Sequence, residues 1–245
     1  MTTTAEGINR LSRGVGVAGL LSAVVMGVGA CTQPVDSTPS SQASAAPGST
    51  STVTTGDEVA GLLDDLEVIE RVEVPGYDRD LFGTAWSDVD GNGCNQRDDV
   101  LLRDAVEGAV SVVSDGACDH DVVAGEWVDP YTGQHLEFDN LKDPSQAQAI
   151  QIDHIVPLAE AWRSGAASWD EQTREQYANT LGNLLAVDGP TNSAKGDDDP
   201  AAWKPRKAYQ CDYATRWITI KHEWDLSADQ PEIDALHDLL DTCDA

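Results

Sequence analysis

Positive charge is scarce in this sequence. Fifteen Lys and Arg stand against 43 Asp and Glu, and the formal net charge at pH 7 is −28. A chain this acidic repels polyanions at long range, which excludes a nucleic-acid module that works by sequestration on a basic face. It does not exclude an enzyme that meets phosphate at one local site. No Cys-x-x-Cys pair is present, so that signature of a structural zinc site is missing. No internal repeat is visible. The one long apolar run, "VGVAGLLSAVVMGVGA" over 15–30, is shorter than the roughly 20 residues that span a bilayer comfortably.

That run follows Arg10 and Arg13, the layout of an export signal over residues 1–30. It ends in "VGAC". Small residues before a cysteine suit lipoprotein-type cleavage, with Cys31 as the lipid-bearing first residue; plain secretory cleavage near Ala30 is the alternative. Setting Cys31 aside leaves Cys94, Cys118, Cys211 and Cys243, an even number in an oxidising compartment. Of the three possible pairings, the local one is expected: Cys94 with Cys118 and Cys211 with Cys243. Residues 31–56 are rich in Ser, Thr, Pro and Ala and read as a flexible tether. Residues 57–245 are then one folded domain, anchored outside the cell through lipid.

Within that domain, apolar spacing in "DEVAGLLDDLEVI" predicts a helix over 57–69 with Asp57 as its cap. The segment 99–113 reads as helix or strand, its "VSVV" end favouring a strand. "GEWVDPYTGQHLEF", 125–138, reads as a hairpin turning at "DPYTG". Two short helices are expected after residue 158, the second capped by Asp170 and stopped by Gly182. A strand follows at 183–187, and a helix starts near Thr191. The main helix is expected from about Arg206 to Trp224, and Ser227 caps the last one. Trp217 and Trp224 share a helix face, as core residues do.

The chemistry concentrates in "IQIDHIVPLAEAW", 150–162. Adjacent residues of an extended strand point to opposite faces, so Asp153 and His154 cannot both be there for one buried surface. An Asp at a strand end can hold a divalent cation, and a neutral His beside it can take a proton from water. "LGNLLAVDGPTNSAKG" supplies the partners. A returning strand and a helix would bring Asn192 to Asp153 and His154. Asn183 could use both ends of its amide to tie the connecting loop. Lys195, one helical turn after Asn192, could meet a phosphate. The window 190–222 carries six basic residues, Lys195, Lys204, Arg206, Lys207, Arg216 and Lys221, against four acidic ones.

"DHIVPLAEAW" joined to "GNLLAVDGPTNSAKG" resembles the HNH endonucleases of the ββα-metal type. More narrowly it is similar to the secreted actinobacterial HNH proteins of the DUF1524 group. The likeness runs from "YDRDLFGTAWSDVDGNGCNQRDDVLLRD" to the last cysteine. The resemblance implies an α+β fold. A ββα-metal core within 150–222 would carry a helical insertion between its strands, an extra N-terminal segment and C-terminal helices. It implies that Asp153 binds metal, that His154 is the general base, that Asn183 is structural, and that Asn192 closes the metal site. Asn192 departs from a closing His. An amide oxygen is harder than an imidazole nitrogen, which favours Mg²⁺ or Mn²⁺ over Zn²⁺ or Ni²⁺. The implied function is an extracellular metal-dependent endonuclease acting on DNA with low sequence specificity. Nucleic acid is then the expected partner, with no protein partner and no membrane contact beyond the lipid anchor. A noncatalytic surface-binding domain, and a hydrolase of RNA or another phosphodiester, are the alternatives.

Other residues carry weaker signals. Asp88, Asp90, Asn92 and Asp99 stand at positions one, three, five and twelve of a calcium-type loop, with Gly93 sixth. A Gly-rich acidic loop stapled by Cys94 is the plainer reading. The resemblance includes Arg79, which could clamp a phosphate or pair with one of many acids. Glu160 reads as an extra metal or water contact, or as a solvated helix residue. His120, His135, His222 and His237 lack partners at ligand spacing and read as surface or structural histidines. Trp162 and Trp203 are expected to pack against the active-site helix.

Overall fold

The computed structural model describes residues 56–243. The expected export signal, Cys31 and nearly all of the tether lie outside the described residues.

Helix α1 (Gly56–Asp64) turns Val59 and Leu63 inward and packs on two C-terminal helices, α7 (Gln210–Glu223) and α8 (Gln230–Leu240). The ambiguous stretch near residue 100 is both things in turn. Helix α2 (Gln96–Asp104), capped by Asn95, passes directly into strand β1 (Ala105–Asp115). β1 pairs antiparallel with β2 (Cys118–Val128), which pairs antiparallel with β3 (His135–Phe138). The hairpin predicted over 125–138 is the β2–β3 connection. Asp98 fastens α2 to this sheet, its buried Oδ1 accepting from the Val122 N–H at 3.1 Å.

A short helix α3 (Pro144–Ala149) leads into β4 (Ile150–His154). Helices α4 (Leu158–Arg163) and α5 (Glu171–Ala178) fill the connection before β5 (Leu184–Asp188) returns antiparallel to β4. Helix α6 (Gly189–Lys195) follows at once, capped by Asp188 through the Thr191 N–H, and packs on both strands. The fold is thus mixed α and β with two small antiparallel sheets. Disulfides join Cys94 to Cys118 and Cys211 to Cys243. No helix among the described residues is long and apolar enough to cross a membrane.

The two-stranded sheet is covered on both faces. Leu185 and Val187 enter a core with α1, α4, α5, α7 and α8. Leu184, Ala186, Ile150 and Ile152 enter a second core with Val100, Leu101, Val122 and Trp127. Burial on both sides explains why β5 opens on an unbroken apolar run, Leu184 to Val187, rather than an alternating one.

Several boundaries differ from the sequence reading. α1 ends at Asp64, and Val68 instead bridges Ala228. α5 stops at Ala178, so Gly182 lies in a 3-10 turn. Asp229, not Ser227, caps α8 by accepting from the Glu232 N–H at 2.9 Å; Ser227 is buried against the Ser164 carbonyl. Trp217 is wholly buried, while Trp224 is half-buried against Trp169 and Tyr177.

Candidate active site

A cavity of about 520 Å³ opens at the end of β4. Asp153, His154 and Asn192 line it together with Arg79, Tyr77, Trp162 and Arg163. Strand alternation sends Asp153 and His154 to opposite faces of the two-stranded sheet. They reach one cavity because they are the strand's last two residues.

The turn between β2 and β3 prepares the Asp153 side. Asp129 is fully buried and accepts from the N–H groups of Tyr131 (3.3 Å), Thr132 (3.0 Å) and Asp188 (3.3 Å). Tyr131 is thereby aimed under β4, where its hydroxyl donates to Asp153 Oδ2 at 2.5 Å. Lys195 comes from α6 and is also fully buried. Its ammonium lies 3.1 Å from Asp153 Oδ1 and 3.0 Å from Oδ2, and donates to the His154 carbonyl at 2.9 Å. Burial pushes the Asp153 carboxyl above its ordinary range, while the Lys195 ammonium and the Tyr131 hydroxyl pull it back.

On the other face, His154 Nε2 donates to the Ala178 carbonyl at 2.8 Å. That bond fixes the tautomer and leaves Nδ1 with the lone pair. Trp86 lies nearly parallel to the imidazole, at 15° and 6.0 Å between centroids. Burial, with Arg79 and Lys195 adding repulsion, lowers the pKa of His154 to about 3. Asn183 is buried behind it. Its Oδ1 accepts from the Val156 N–H at 2.9 Å and its Nδ2 donates to the Val156 carbonyl at 3.2 Å. Asn192 donates from Nδ2 to Gln151 Oε1 at 2.9 Å, which leaves its amide oxygen available to the cavity.

Asp153, His154, Asn192 and Arg79 therefore meet at one cavity, and Asn183 holds the loop beside them. Lys195 does not line it. The expectation that Lys195 contacts a substrate phosphate gives way to an internal role, because the short helix turns this side chain inward against Asp153. Glu160 is neither a cavity contact nor solvated. It is buried and paired with Lys221 at 3.0 Å and Arg163 at 3.0 Å. Trp162 packs beside Phe82, and Trp203 against Tyr131. His120 bridges Asp99 (2.7 Å) and Asp119 (2.6 Å), His135 meets Glu126 at 3.2 Å, and His222 and His237 are exposed. Asp88, Asp90 and Asn92, from the loop before α2, gather with Asp99 of its first turn, and none of the four lines this cavity. Sequence reasoning missed Tyr131 and Trp86. The only local signal for Tyr131 was its turn, and nothing in the sequence pairs Trp86 with His154.

Two measurements check this arrangement. Lys195→Met strips Asp153 of its buried counter-charge and is expected to cost about 3–5 kcal/mol of unfolding free energy; a loss under about 1 kcal/mol would show that the pair is open to water. The His154 pKa lies below the unfolded value near 6.5, so the unfolded chain takes this proton first as pH falls. The contribution to stability is whole above pH 6.5 and is lost as pH falls toward 3. Between about pH 7.5 and about pH 5, the wild type is expected to lose about 2 kcal/mol more than His154→Gln in chemical denaturation. Equal losses would put the imidazole in contact with solvent.

Residues 96–239, more than half of the chain, match the family of GmrSD restriction endonucleases, C-terminal domain. An uncharacterized secreted protein of Arthroderma benhamiae is 40% identical over 185 residues, covering 74% of this chain and 83% of its own. No solved structure matches. The matched span begins with α2 and takes in every residue assigned to the cavity wall from β4, α4 and α6. The chain belongs to the family of the GmrSD restriction endonuclease C-terminal domain.

Proposed function

We propose that the protein is an extracellular, metal-dependent endonuclease of the HNH type that hydrolyses DNA phosphodiester bonds with low sequence specificity. The observation that carries this reading is His154, neutral, held by the Ala178 carbonyl through Nε2, on a cavity wall shared with Asp153 and Asn192. The chain order of β4, β5 and α6 supports it, as does membership in a restriction-endonuclease family. Two disulfides and a relative named as secreted support the extracellular setting. Lipid attachment at Cys31 would keep the domain at the outer membrane face.

The donor set fits a hard divalent cation. Asp153 offers a carboxylate and Asn192 an amide oxygen, both on the cavity wall. Two protein oxygens are too few for a zinc site but suit Mg²⁺ or Mn²⁺, which keep several waters. Asp153 would be shared between the ion and Lys195. When bound, the cation would stabilise negative charge on the phosphate and the leaving oxygen. His154 Nδ1 takes the proton of the attacking water, and Asn183 keeps the loop after His154 from shifting. Arg79, exposed at the cavity, holds the phosphate. A pKa near 3 belongs to the cavity without substrate. An anionic phosphodiester at Arg79 cancels that cation's repulsion, which ranks below burial as a cause of the low value.

Plasmid cleavage tests the proposal. The purified protein is expected to nick or cut a plasmid with Mg²⁺ or Mn²⁺, and to stop with EDTA. His154→Ala should reduce the rate by about 10²–10⁴-fold with its circular dichroism unchanged. Cleavage confined to RNA or a small diester, still dependent on His154, would change the substrate class. A folded protein with no His154-dependent cleavage of any diester would be a binding domain instead.

Salt gives a second test. The net charge of −28 opposes a polyanion, and added salt screens that repulsion. KM for plasmid is therefore expected to fall between about 20 and 150 mM salt, opposite in sign to a basic DNA-binding protein. A KM that rises about tenfold over that range would mean a substantial basic track contacts the backbone.

A further inference from the structure

The loop between Trp86 and α2 has no part in the cavity chemistry, yet it carries a burial pattern that a loop of hydrogen bonds alone does not satisfy. Asp88 Oδ2 accepts from the Gly93 N–H at 2.9 Å, and its Oδ1 from the Gly91 and Asn92 N–H groups at 2.7 and 3.1 Å. Gly93 has φ +92°, a conformation that L side chains rarely adopt, at the sixth position counted from Asp88. α2 begins at the ninth position, Gln96, and so carries the twelfth residue, Asp99, back over the loop in its first turn. The Asn92 amide nitrogen donates to Asp99 Oδ1 at 2.9 Å and to Asp90 Oδ2 at 3.4 Å. It stands where acidic oxygens from both ends of the loop converge.

Asp99 supplies the independent observation. Its side chain is only 7% exposed and faces the loop through Oδ1, which also meets His120. Its other oxygen, Oδ2, is buried and accepts no hydrogen bond among the described residues. An unsatisfied buried carboxylate oxygen costs on the order of 1–3 kcal/mol or more, and His120, which meets Oδ1, leaves Oδ2 without a partner. The ninth-position Gln96 is likewise fully buried with both ends of its amide unpartnered among the described residues.

We propose that residues 88–99 form a structural calcium site. Asp88, Asp90, the Asn92 side chain, the Cys94 carbonyl and Asp99 would supply protein oxygens, and water the remainder. The chemistry favours Ca²⁺ over a transition metal. The one group of Cys, His and acidic side chains whose ligand atoms lie within 4.8 Å of one another is, among the described residues, Cys94, Cys118 and His120. The disulfide between its two cysteines removes both thiolates. What remains at the loop is hard oxygen, the donor type that Ca²⁺ takes in a flexible geometry. Binding draws Asp88, Asp90 and Asp99 closer together and turns the Asn92 amide so that oxygen replaces nitrogen. The ion would stiffen the segment following Trp86, on the same side as the Cys94–Cys118 bond.

Calorimetric titration of the EDTA-stripped protein with Ca²⁺ tests this, beside thermal unfolding with and without the ion. One saturable site with Kd at or below about 10⁻³ M, and a Tm that rises with Ca²⁺, are expected. Asp90 is exposed and hydrogen-bonds to Asn92, so Asp90→Asn should fold like the wild type without the ion. It should weaken Ca²⁺ binding at least tenfold, as should Asp99→Asn. Asn192→Ala, at the catalytic cavity, should leave the Ca²⁺-dependent Tm shift unchanged. Absence of any Ca²⁺ heat or Tm shift in the wild type overturns the proposal. So does a shift that survives in Asp90→Asn, or one abolished by Asn192→Ala alone.

Discussion

One buried ammonium joins the pieces of chain from which the cavity is built. Lys195 reaches from α6 to the Asp153 carboxylate and the His154 carbonyl, and Tyr131 meets the same carboxylate from the turn before β3. A charge of either sign alone in this position would be costly. Together the two charges and the hydroxyl satisfy one another, and each fixes where the others lie. This contact decides the local geometry. It orients Asp153 at the strand end, it sets how α6 sits under β4, and through the His154 carbonyl it restrains the backbone from which the imidazole projects.

The imidazole is restrained from the opposite side by different means. Asn183 replaces the missing sheet pairing just beyond β4. It offers Val156 both an acceptor and a donor, while the Ile155 N–H reaches the Asn183 carbonyl at 2.8 Å. The Tyr177 hydroxyl gives the Val156 carbonyl a second bond, at 2.9 Å. The chain after His154 is thus held like a strand although it is none. With Trp86 against one face of the ring and the Ala178 carbonyl on Nε2, His154 has one open chemical direction, Nδ1. Two hydrophobic cores on the two faces of the β4–β5 sheet make this possible, since neither Asp153 nor His154 can move without disturbing packed neighbours.

What was legible in the sequence was what the chain encodes locally. Asp153 and His154 end an apolar strand, Asn183 precedes the next, and Asn192 follows an Asp-Gly-Pro turn into a helix. Each position follows from short-range rules, and the cavity contains all of them except the loop-holding Asn183. The cysteine pairing was legible for the same reason, each bond closing a loop within one region. Illegible were the partners set by distant packing. Tyr131 lies 22 residues before Asp153 in a turn whose pattern gives no hint of what its side chain touches. Glu160 looked like a solvated helix residue because nothing nearby in sequence predicts that Lys221, 61 residues on, will be buried against it. Lys195 stands one helical turn after Asn192. In a helix of seven residues that spacing does not decide which side faces the strands.

The fate of the basic side chains connects the composition to the site. Lys195 and Lys221 are wholly buried against carboxylates. Arg206 and Arg216, from the same locally basic window, donate to backbone carbonyls of Pro130, Gly182 and Leu184. Arg71, Arg103, Lys142 and Arg163 pair with acids, and Arg97 and Arg174 donate to carbonyls. Among the described residues, Arg79, Lys204 and Lys207 are the basic side chains without a hydrogen bond or ion pair, and of these Arg79 lines the cavity. A polyanion approaching a surface of this charge meets repulsion almost everywhere. Screening shortens that repulsion to about 8 Å at physiological salt, so charge at the cavity itself outweighs the remote surface once contact is made. Under the proposed reading, the scarcity of positive charge therefore narrows the choice of phosphate anchor. Of the three basic side chains that the described residues leave uncommitted, the one beside the neutral, buried histidine is an arginine.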